Sequence, residues 1–560
     1  MSLFLDERRL LNGPWRAFER DVGRLLVANG FEDVRVVGGS GDRGADILGV
    51  KKGELWVFQA KFTTNTPPPK SAVEEVVDAG AFYRADRMLV VCSRRPGPGI
   101  LEERDRYARL GITVEILGPA KLQKLLEAAP EYPKSRRELR PYQVEAVDAF
   151  RSGLIEAGRG QVVLATGLGK TVVLAELVAE LLRDGLVQDG RVLVLAHTRD
   201  IVDQLHRSFW SQLPKTVATH RLEGGEMPTF WDGITFATIQ SVLGRADELP
   251  RFGLVLVDEA HHIGSDTFLQ AISALDPPML GGVTATPWRG DGFDIDHLLG
   301  PALVRIGIED GLRKKFLSEV DYRLLADDLD WDVVRDLSRH RYSLAELNRR
   351  LILPTRDEEA ARLIRESFDR EGRRAGIVFS PTVVHAQHMA AMLRRYDLRA
   401  EAVLGDLPPR ERDRLMTAFR RGDLDVVTSV DLFNEGVDVP DVDVIAFMRV
   451  THSRRIFVQQ LGRGLRISPT KDKVIVLDFV SDLRRIAEVA RLEQAVRAGD
   501  GDVERLGLGE RIISFREASA GSFIMEWLRD QADLLLREGD PALELPRFDF
   551  PDPVAPGAVQ

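Results

Sequence analysis

Short, almost uninterrupted apolar runs in the middle of the chain constrain the fold more than any other feature. Such runs are typical of strands in a parallel sheet that is covered by helices on both faces. The first set of runs is Val162–Ala165, Val192–Ala196, Leu254–Val257 and Gly282–Thr284. The second set is Ala375–Phe379, Val426–Thr428, Val444–Phe447 and Val474–Asp478. The pattern therefore predicts two consecutive α/β domains, each built on a parallel sheet.

The length of 560 residues exceeds what one hydrophobic core organises, and typical domain sizes predict about three or four domains. We expect an N-terminal α/β domain at 1–130, a proline-bearing linker at 131–137, and the two larger domains at 138–300 and 361–482. A charged, less regular segment is expected to connect them at 301–360. A helical region at 483–540 and a disordered tail at 541–560 are expected to follow.

Composition indicates a globular protein of the cytoplasm. The single cysteine, Cys92, excludes an internal disulfide and a zinc site built from cysteines. No apolar run is long enough to span a bilayer, and the first residues lack a secretory signal pattern. The formal net charge of −10 argues against nucleic-acid binding only weakly, because phosphate contacts need no more than a local basic groove.

A phosphate-binding loop is predicted where the first of these strands ends and a helix at Val172–Leu182 begins. Its sequence is Leu164-Ala165-Thr166-Gly167-Leu168-Gly169-Lys170-Thr171. Gly167 and Gly169 let backbone N–H groups close around phosphate oxygens, and the helix N-terminus favours an anion. Thr166, in the same loop, is also expected to bind the nucleotide. Lys170 is expected to reach the β- and γ-phosphates of ATP, and Thr171 to ligate Mg²⁺. Leu164 replaces the outermost glycine of the general motif.

Two adjacent carboxylates, Asp258 and Glu259, follow the apolar strand Leu254–Val257. The carboxyl end of a strand in an α/β sheet faces the ligand crevice. We expect Asp258 to hold Mg²⁺ through water and Glu259 to orient and deprotonate the attacking water. The alternative is a strand that ends in a solvated acidic turn, and the nearby phosphate loop argues against it.

From about residue 136 to 480 the chain resembles superfamily-two helicases, because many motifs follow in the family's order. The motifs are Leu139–Gln143, Leu195–Arg199, Thr235–Gln240, Thr284–Pro287, Val378–Ser380, Thr428–Asp431, Asn434–Asp438 and Gln459–Arg466. The resemblance implies that Gln143 reads the adenine base. Two elements are most similar to those of restriction-enzyme motor subunits and related repair helicases. They are the DEAH box, Asp258-Glu259-Ala260-His261, and the segment Ala285–Arg289.

The same resemblance implies that the second large domain completes the ATP site. Arg463 and Arg466 would act as arginine fingers on the γ-phosphate, and Gln459, Gly436 and Asp438 would contribute to nucleotide binding. The alternative for the two arginines is a pair of surface side chains on a helix. The resemblance also places Thr238 and Thr428 in segments that would follow the nucleic-acid strand. Buried packing of β-branched residues explains either threonine nearly as well.

The N-terminal domain carries a second candidate site on a predicted hairpin. Asp46 lies near the start of one strand, and Gln59-Ala60-Lys61 lies on the next, beyond the turn at Lys51–Glu54. Strand alternation puts Gln59 and Lys61 on one face, which Asp46 can approach if the hairpin pairs normally. Asp46, Gln59 and the Ala60 carbonyl are candidate Mg²⁺ ligands. Lys61 would then polarise or deprotonate water, or stabilise the developing charge.

Residues 12–128 resemble the Mrr-type restriction endonuclease domain, a branch of the PD-(D/E)xK nucleases. The resemblance is carried by Phe18-Glu19, Gly30-Phe31, Gly39–Asp42, Gly44–Ile47 and Gln59–Lys61. It implies that Gln59 takes the usual carboxylate position and that Glu19 completes the metal site. Asp42 is interpreted as a turn former. The alternative is a DNA-binding domain with an inactive site.

Together these features predict an ATP-dependent DNA helicase or translocase coupled to a Mg²⁺-dependent DNA endonuclease, in restriction or anti-phage defence. One alternative is a repair or remodelling helicase whose N-terminal domain binds DNA without cutting it. Another is a DNA sensor that uses ATP as a switch. The expected partners are duplex or single-stranded DNA and proteins of a defence or repair complex, with no membrane.

Overall fold

The computed structural model describes residues 3–37, 45–223, 225, 227–285, 295–324, 357–380, 382–430, 442–448, 464–467, 471 and 473–479. The glycine-rich turn at 38–44, the predicted helical region at 483–540 and the predicted tail at 541–560 lie outside the described residues. The chain divides into two compact units. Of the described residues, one unit contains those up to 165 and from 169 to 307, and the other contains 166–168 and those from 308 onward.

The N-terminal part of the first unit is a five-stranded sheet with helices on both faces. Its strands, in spatial order, are β1 (Glu32–Val36), β2 (Ile47–Lys51), β3 (Glu54–Lys61), β4 (Arg87–Cys92) and β5 (Val114–Leu117). Strands β1, β2 and β3 are antiparallel, whereas β3, β4 and β5 are parallel. The helices are α1 (Glu7–Asn12), α2 (Trp15–Ala28), α3 (Ser71–Tyr83), α4 (Pro98–Arg109) and α5 (Pro119–Ala128).

The predicted hairpin between β2 and β3 is confirmed. Its turn residues Lys52 and Gly53 have φ values of 54° and 80°, the left-handed conformation that tight hairpin turns require. Helix α2 is followed after one residue by Gly30, whose left-handed φ of 78° suits the end of a helix.

Two separate cores cover the two faces of this sheet. On one face, Phe18 and Val22 of α2 pack with Phe58 and Ala60 of β3. On the other face, Val57 of β3 packs with α3, through side chains that include Val73 and Val76. Because successive side chains of a strand point to opposite faces, the odd-numbered residues of β3 face α3.

The rest of the first unit is a seven-stranded parallel sheet in the order β12-β6-β11-β10-β7-β9-β8. Its elements are α6 (Pro141–Ala157), β6 (Arg159–Leu164), α7 (Lys170–Arg183), β7 (Arg191–Ala196), α8 (Arg199–Trp210), β8 (Thr219–Leu222), β9 (Gly233–Thr238), α9 (Ile239–Leu243), β10 (Leu254–Asp258), α10 (Asp266–Leu275), β11 (Met279–Thr284), α11 (Asp296–Leu299) and β12 (Ala302–Ile306). The four strands predicted from apolar runs are β6, β7, β10 and β11.

The second unit contains a six-stranded parallel sheet in the order β13-β18-β17-β14-β16-β15. Its elements are α12 (Ile308–Arg313), β13 (Glu319–Leu324), α13 (Asp357–Glu371), β14 (Gly376–Phe379), α14 (Val383–Arg395), β15 (Ala400–Ala402), α15 (Pro409–Arg420), β16 (Val426–Ser429), β17 (Val444–Phe447) and β18 (Lys473–Asp478). The four predicted strands of this domain are confirmed as β14, β16, β17 and β18.

A less regular segment is predicted from residue 301, but that prediction is wrong at its start, because Ala302–Ile306 form strand β12. β12 pairs with β6 and extends the first parallel sheet, and β13 pairs with β18 in the second. Both strands stand at the edges of their sheets, where a strand pairs with only one neighbour.

The N-terminal domain docks onto the first parallel-sheet domain within the same compact unit. The buried Arg24 guanidinium donates hydrogen bonds to the carbonyls of Val217 (2.5 Å) and Pro214 (2.9 Å). The Lys215 ammonium caps the C-terminal end of α5, with its shortest hydrogen bond (2.7 Å) to the Ala129 carbonyl. These contacts fix the N-terminal domain on its neighbour.

A close approach of two helices adds to this docking surface. The ring of Trp210, at the end of α8, is 1% exposed, and a Cβ added to Gly23 of α2 would lie 3.2 Å from it. The absence of a side chain at Gly23 therefore admits the tryptophan.

Among the helices that the structure describes, none combines the length and apolar character needed to cross a membrane.

Candidate functional sites

The phosphate loop has the backbone geometry that its glycines predict. It connects the end of β6 at Leu164 to the start of α7 at Lys170. Gly167 and Gly169 have φ values of 93° and 83°, which glycine adopts without strain. Thr166 lies in this loop, and Thr171 follows Lys170 in the first turn of α7, at the end where an anion is favoured.

Gln143 lies against this loop. A Cβ added to Gly169 would come within 2.5 Å of the Gln143 Nε2 atom. The Gln143 Oε1 atom accepts a hydrogen bond of 2.9 Å from the Arg140 backbone N–H, which caps α6. The predicted adenine-contacting residue is thus held at the edge of the phosphate loop by its own helix cap.

The acidic pair lies beside Lys170. Asp258 is the last residue of β10, and Glu259 has left-handed backbone angles (φ 50°, ψ 54°) that turn the chain sharply after the strand. The Lys170 ammonium is 3.6 Å from the Glu259 Oε1 atom. The left-handed conformation costs a residue other than glycine about 1–3 kcal/mol, and such strain is typical of functional sites.

The two carboxylates differ in charge state. Burial, reinforced by the neighbouring Glu259 charge and opposed by Lys170, raises the pKa of Asp258 to about 7. Burial acts in the same direction on Glu259, but Lys170 and His261 hold the pKa of Glu259 well below its usual range. Glu259 is therefore ionised at neutral pH, as a proton acceptor must be.

Asp258 fits the metal that the ATP-site prediction requires. Its Oδ1 atom is buried and has no hydrogen-bond partner among the described residues. A buried, unpaired carboxylate oxygen is costly in isolation and is relieved by a hard cation such as Mg²⁺. Bound Mg²⁺ would supply positive charge to the phosphate oxygens.

His261 connects the acidic pair to β11. Its Nδ1 atom lies 2.9 Å from the Thr284 hydroxyl and 3.3 Å from the Glu259 Oε2 atom. Thr284 is the first residue of the helicase-like motif Thr284–Pro287. The following residues, 286–289, lie outside the described part of the chain.

The nucleotide-contacting residues predicted in the second large domain lie mostly outside the described residues. These are Gly436, Asp438, Gln459 and Arg463. Arg466 is described, and its backbone carbonyl accepts a hydrogen bond of 2.8 Å from the Ser318 hydroxyl. Thr428 is fully buried and donates to the Ala386 carbonyl at 2.6 Å, in line with the packing interpretation of that residue.

Three of the four predicted nuclease residues lie together on one sheet. Asp46 immediately precedes β2, and its backbone N–H donates a hydrogen bond of 2.9 Å to the Phe58 carbonyl of β3. Its Oδ2 atom accepts a hydrogen bond of 2.7 Å from the Ala60 backbone N–H. Gln59 is 4% exposed, and its Oε1 atom is buried without a hydrogen-bond partner among the described residues.

Glu19 lies in a different layer. It is buried on α2, which covers the face of Phe58 and Ala60, whereas Gln59 and Lys61 point to the α3 face. Within the described ranges, which leave out 38–44, no group of three or more His, Cys, Asp or Glu side chains is arranged to hold a metal ion. The role of Glu19 as a metal ligand stays a prediction. The Asp46 and Gln59 oxygens are donors that Mg²⁺ accepts.

Glu75 is a charged neighbour of the site that the sequence analysis missed. Its Oε2 atom lies 2.5 Å from the Lys61 ammonium. No motif marks it, since it lies on α3 beyond a loop that contains three prolines. Only the packing of α3 on β3 brings the two side chains together.

Three family models match successive parts of the chain. Residues 10–125 match the model described as restriction endonuclease, of the Mrr catalytic type. Residues 136–289 match that of the type III restriction enzyme res subunit, and residues 358–468 match the helicase conserved C-terminal domain. The chain therefore carries a Mrr-like nuclease domain that is followed by helicase domains. Such domains imply ATP and, typically, a divalent metal.

The helicase domains have curated relatives in several organisms. The putative ATP-dependent helicase IRC3 of Saccharomyces cerevisiae is 24% identical over 61% of this chain and 51% of its own length. The chain thus spans about half the length of this relative. The DNA 3'-5' translocase XPB2 of Sulfurisphaera tokodaii is 29% identical over 61% of this chain and 81% of its own length.

A solved structure is also similar over much of the chain. It is the ATP-dependent Type ISP restriction-modification enzyme LlaBIII bound to DNA, with 18% identity and a TM-score of 0.49. The alignment covers 85% of this chain and 38% of that one.

Proposed function

We propose that the chain is an ATP-dependent DNA translocase coupled to a Mg²⁺-dependent DNA endonuclease, acting in restriction or anti-phage defence in the cytoplasm. One observation carries the proposal: a single compact unit holds both the Lys170–Glu259 arrangement and the Asp46–Gln59–Lys61 arrangement. The relative from Sulfurisphaera tokodaii is named a DNA 3'-5' translocase, which supports movement along DNA. Partner proteins in a defence or repair complex stay a prediction.

In the ATPase reaction, Lys170 would bind the β- and γ-phosphates, and Thr171 and Asp258 would hold the metal. Glu259 orients the attacking water and takes its proton, a role that its lowered pKa and left-handed backbone support. Its contact with His261 relays the state of the carboxylate to Thr284. Arg463 and Arg466 keep their predicted role as arginine fingers.

In the nuclease reaction, Asp46 and Gln59 would hold Mg²⁺ and Lys61 would stand beside the scissile phosphate. The bound metal would polarise the phosphate and favour deprotonation of a water. Asp46 is held by the Ala60 N–H, so its other oxygen has a fixed direction. Lys61 stabilises the negative charge that develops on the phosphate during attack.

A panel of three lysine variants tests the proposal. Lys170→Ala should abolish ATP turnover, and Lys61→Ala should abolish DNA cleavage while sparing DNA-stimulated ATPase. Lys121→Ala, an exposed lysine on α5, is the matched control and should change neither activity. Cleavage of supercoiled and linear DNA with Mg²⁺ and ATP is the measurement. Cutting that persists in Lys61→Ala would overturn the nuclease assignment, and unchanged turnover in Lys170→Ala the ATP site.

The ion pair between Lys61 and Glu75 favours a second candidate function, because it partly neutralises the lysine that the nuclease would use. In this case the chain is a repair or remodelling helicase whose N-terminal domain binds DNA without cutting. It predicts DNA-stimulated ATPase but no cleavage with Mg²⁺, Mn²⁺ or any other divalent ion. Cleavage by the wild-type chain that Lys61→Ala removes would exclude it.

A further inference from the structure

We propose that Glu75 is a positioning residue of the nuclease centre, which fixes the Lys61 ammonium on the α3 face of the sheet. The proposal rests on the nuclease function proposed above. It deepens that function by naming an acidic side chain outside the predicted set of Glu19, Asp46, Gln59 and Lys61.

The face of the sheet decides which acidic residue is able to act on Lys61. Val57 packs with α3, and Gln59 and Lys61 follow it on the same side of β3. Asp46 immediately precedes β2, and its carboxylate accepts a hydrogen bond from the Ala60 N–H, next to Gln59 in β3. Glu19 belongs to α2 on the opposite face, whereas Glu75 belongs to α3 itself.

The position of Glu75 is set by the core beneath its helix. Val73 and Val76 of α3 are both fully buried against the sheet, and Val76 is the next residue in the chain. The backbone of Glu75 therefore has little freedom to move, and its carboxylate reaches Lys61 at 2.5 Å.

The pair remains open to a substrate from one side. The Lys61 side chain is 22% exposed and that of Glu75 is 35% exposed. A lysine side chain has four flexible torsions, and without a partner its ammonium would sample many positions. The Glu75 carboxylate selects one of these positions for the Lys61 ammonium, on the same face of β3 as Gln59.

This arrangement predicts that loss of the Glu75 charge lowers the turnover number without weakening DNA binding. Glu75→Gln keeps the size of the side chain but removes its charge, so Lys61 loses its fixed position. The turnover number for cleavage should fall on the order of 10- to 100-fold, the usual cost of a misplaced catalytic group. The KM for DNA should stay the same or fall, since the Lys61 ammonium is no longer paired with a carboxylate and is free to contact a DNA phosphate.

The test compares full-length variants in two assays. Cleavage with Mg²⁺ and ATP is measured for wild type, Glu75→Gln, Glu75→Asp and Glu74→Gln. Glu74 is the exposed neighbour on α3 and serves as the matched control. Binding of a fluorescent DNA duplex is measured by anisotropy in Ca²⁺ for the same proteins, for Lys61→Ala and for the Glu75→Gln/Lys61→Ala double variant.

We expect Glu75→Gln to cut slowly but to bind DNA at least as tightly as wild type. Glu75→Asp should retain intermediate activity, and Glu74→Gln should match wild type. The double variant should cut and bind like Lys61→Ala alone, because Glu75 acts through Lys61.

Two results would overturn the inference: cleavage by Glu75→Gln equal to that of Glu74→Gln, or cleavage faster than wild type, which would make Glu75 a restraint. A wild-type chain that never cuts DNA would instead refute the proposed nuclease. In that event the binding assay still tests whether Glu75 acts through Lys61. Any gain of affinity in Glu75→Gln that persists without Lys61 would refute it.

Discussion

Replacement of Gly169 by alanine should damage the ATP site through two separable effects. The residue has a φ of 83°, which alanine adopts only with strain. In addition, the new Cβ would meet the Gln143 Nε2 atom at 2.5 Å. Gln143 is the predicted adenine contact, so the substitution tests whether this residue and the phosphate loop form one structure.

The magnitude follows from the two contacts. Left-handed backbone costs alanine about 1–2 kcal/mol. The clash displaces the Gln143 amide and sacrifices its hydrogen bond from the Arg140 N–H, worth about 1 kcal/mol. Gly169→Ala should therefore destabilise the chain by about 2–3 kcal/mol, summed from these two contributions.

Gly185 is the matched control for the backbone effect. Its φ is 67°, and a Cβ added there meets nothing within 4 Å. Gly185→Ala should thus cost only the strain of about 1–2 kcal/mol. Urea unfolding of the full-length variants, read by circular dichroism, measures both losses. The KM for ATP should rise in Gly169→Ala and not in Gly185→Ala.

A double-mutant cycle isolates the contact with Gln143. In a Gln143→Ala background, Gly169→Ala should cost no more than Gly185→Ala does, because the clashing group is gone. Equal destabilisation by Gly169→Ala and Gly185→Ala in the wild-type background would refute the reasoning. The loop and the N-terminal part of α6 would then be independent.

Two further predictions concern buried titratable groups. Asp258→Asn should abolish ATP turnover, since the metal loses its carboxylate, yet raise the stability of the nucleotide-free protein at pH 8. The sign follows from a pKa raised from 3.8 to about 7, which makes the wild type lose stability as pH rises between these values. Thermal unfolding at pH 5 and pH 8 checks this, and a variant with the same pH dependence as wild type would contradict it. His206 is buried, and burial together with Arg20 and Arg24 lowers its pKa well below 6.5. Its protonation favours the unfolded chain, so its contribution to stability is lost as pH falls below 6.5, by up to about 1.4 kcal/mol per pH unit. Urea unfolding from pH 7.5 to 5.5 should show a shallower loss in His206→Asn, and parallel curves would refute the assignment.

The sequence predicts the strands that are covered on both faces, because burial imposes a continuous apolar run. β6 and β10 are buried at nearly every position and were predicted. β12 was not, since it stands at a sheet edge with alternating exposure and carries Arg305. Its membership of the sheet depends on one neighbouring strand, which local composition does not reveal.

The same distinction holds at the candidate sites. The proximity of Asp46 to Gln59 follows from hairpin register, and that of Asp258 to the phosphate loop follows from the common edge of parallel strands. Both are consequences of short-range rules. The contact of Glu75 with Lys61 depends on how a helix lies across the sheet, and the layer of Glu19 depends on which face α2 covers.

The docking of the N-terminal domain gives the two candidate sites a fixed geometric relation. Burial lowers the pKa of Arg24 to about 9, and Asp21 opposes the shift. The carbonyls of Val217 and Pro214 accept hydrogen bonds from the Arg24 guanidinium, so a sliding of the domains would break both bonds at a buried charge. The separation of Lys61 from Lys170 is therefore set by the fold of one compact unit rather than by a flexible linker.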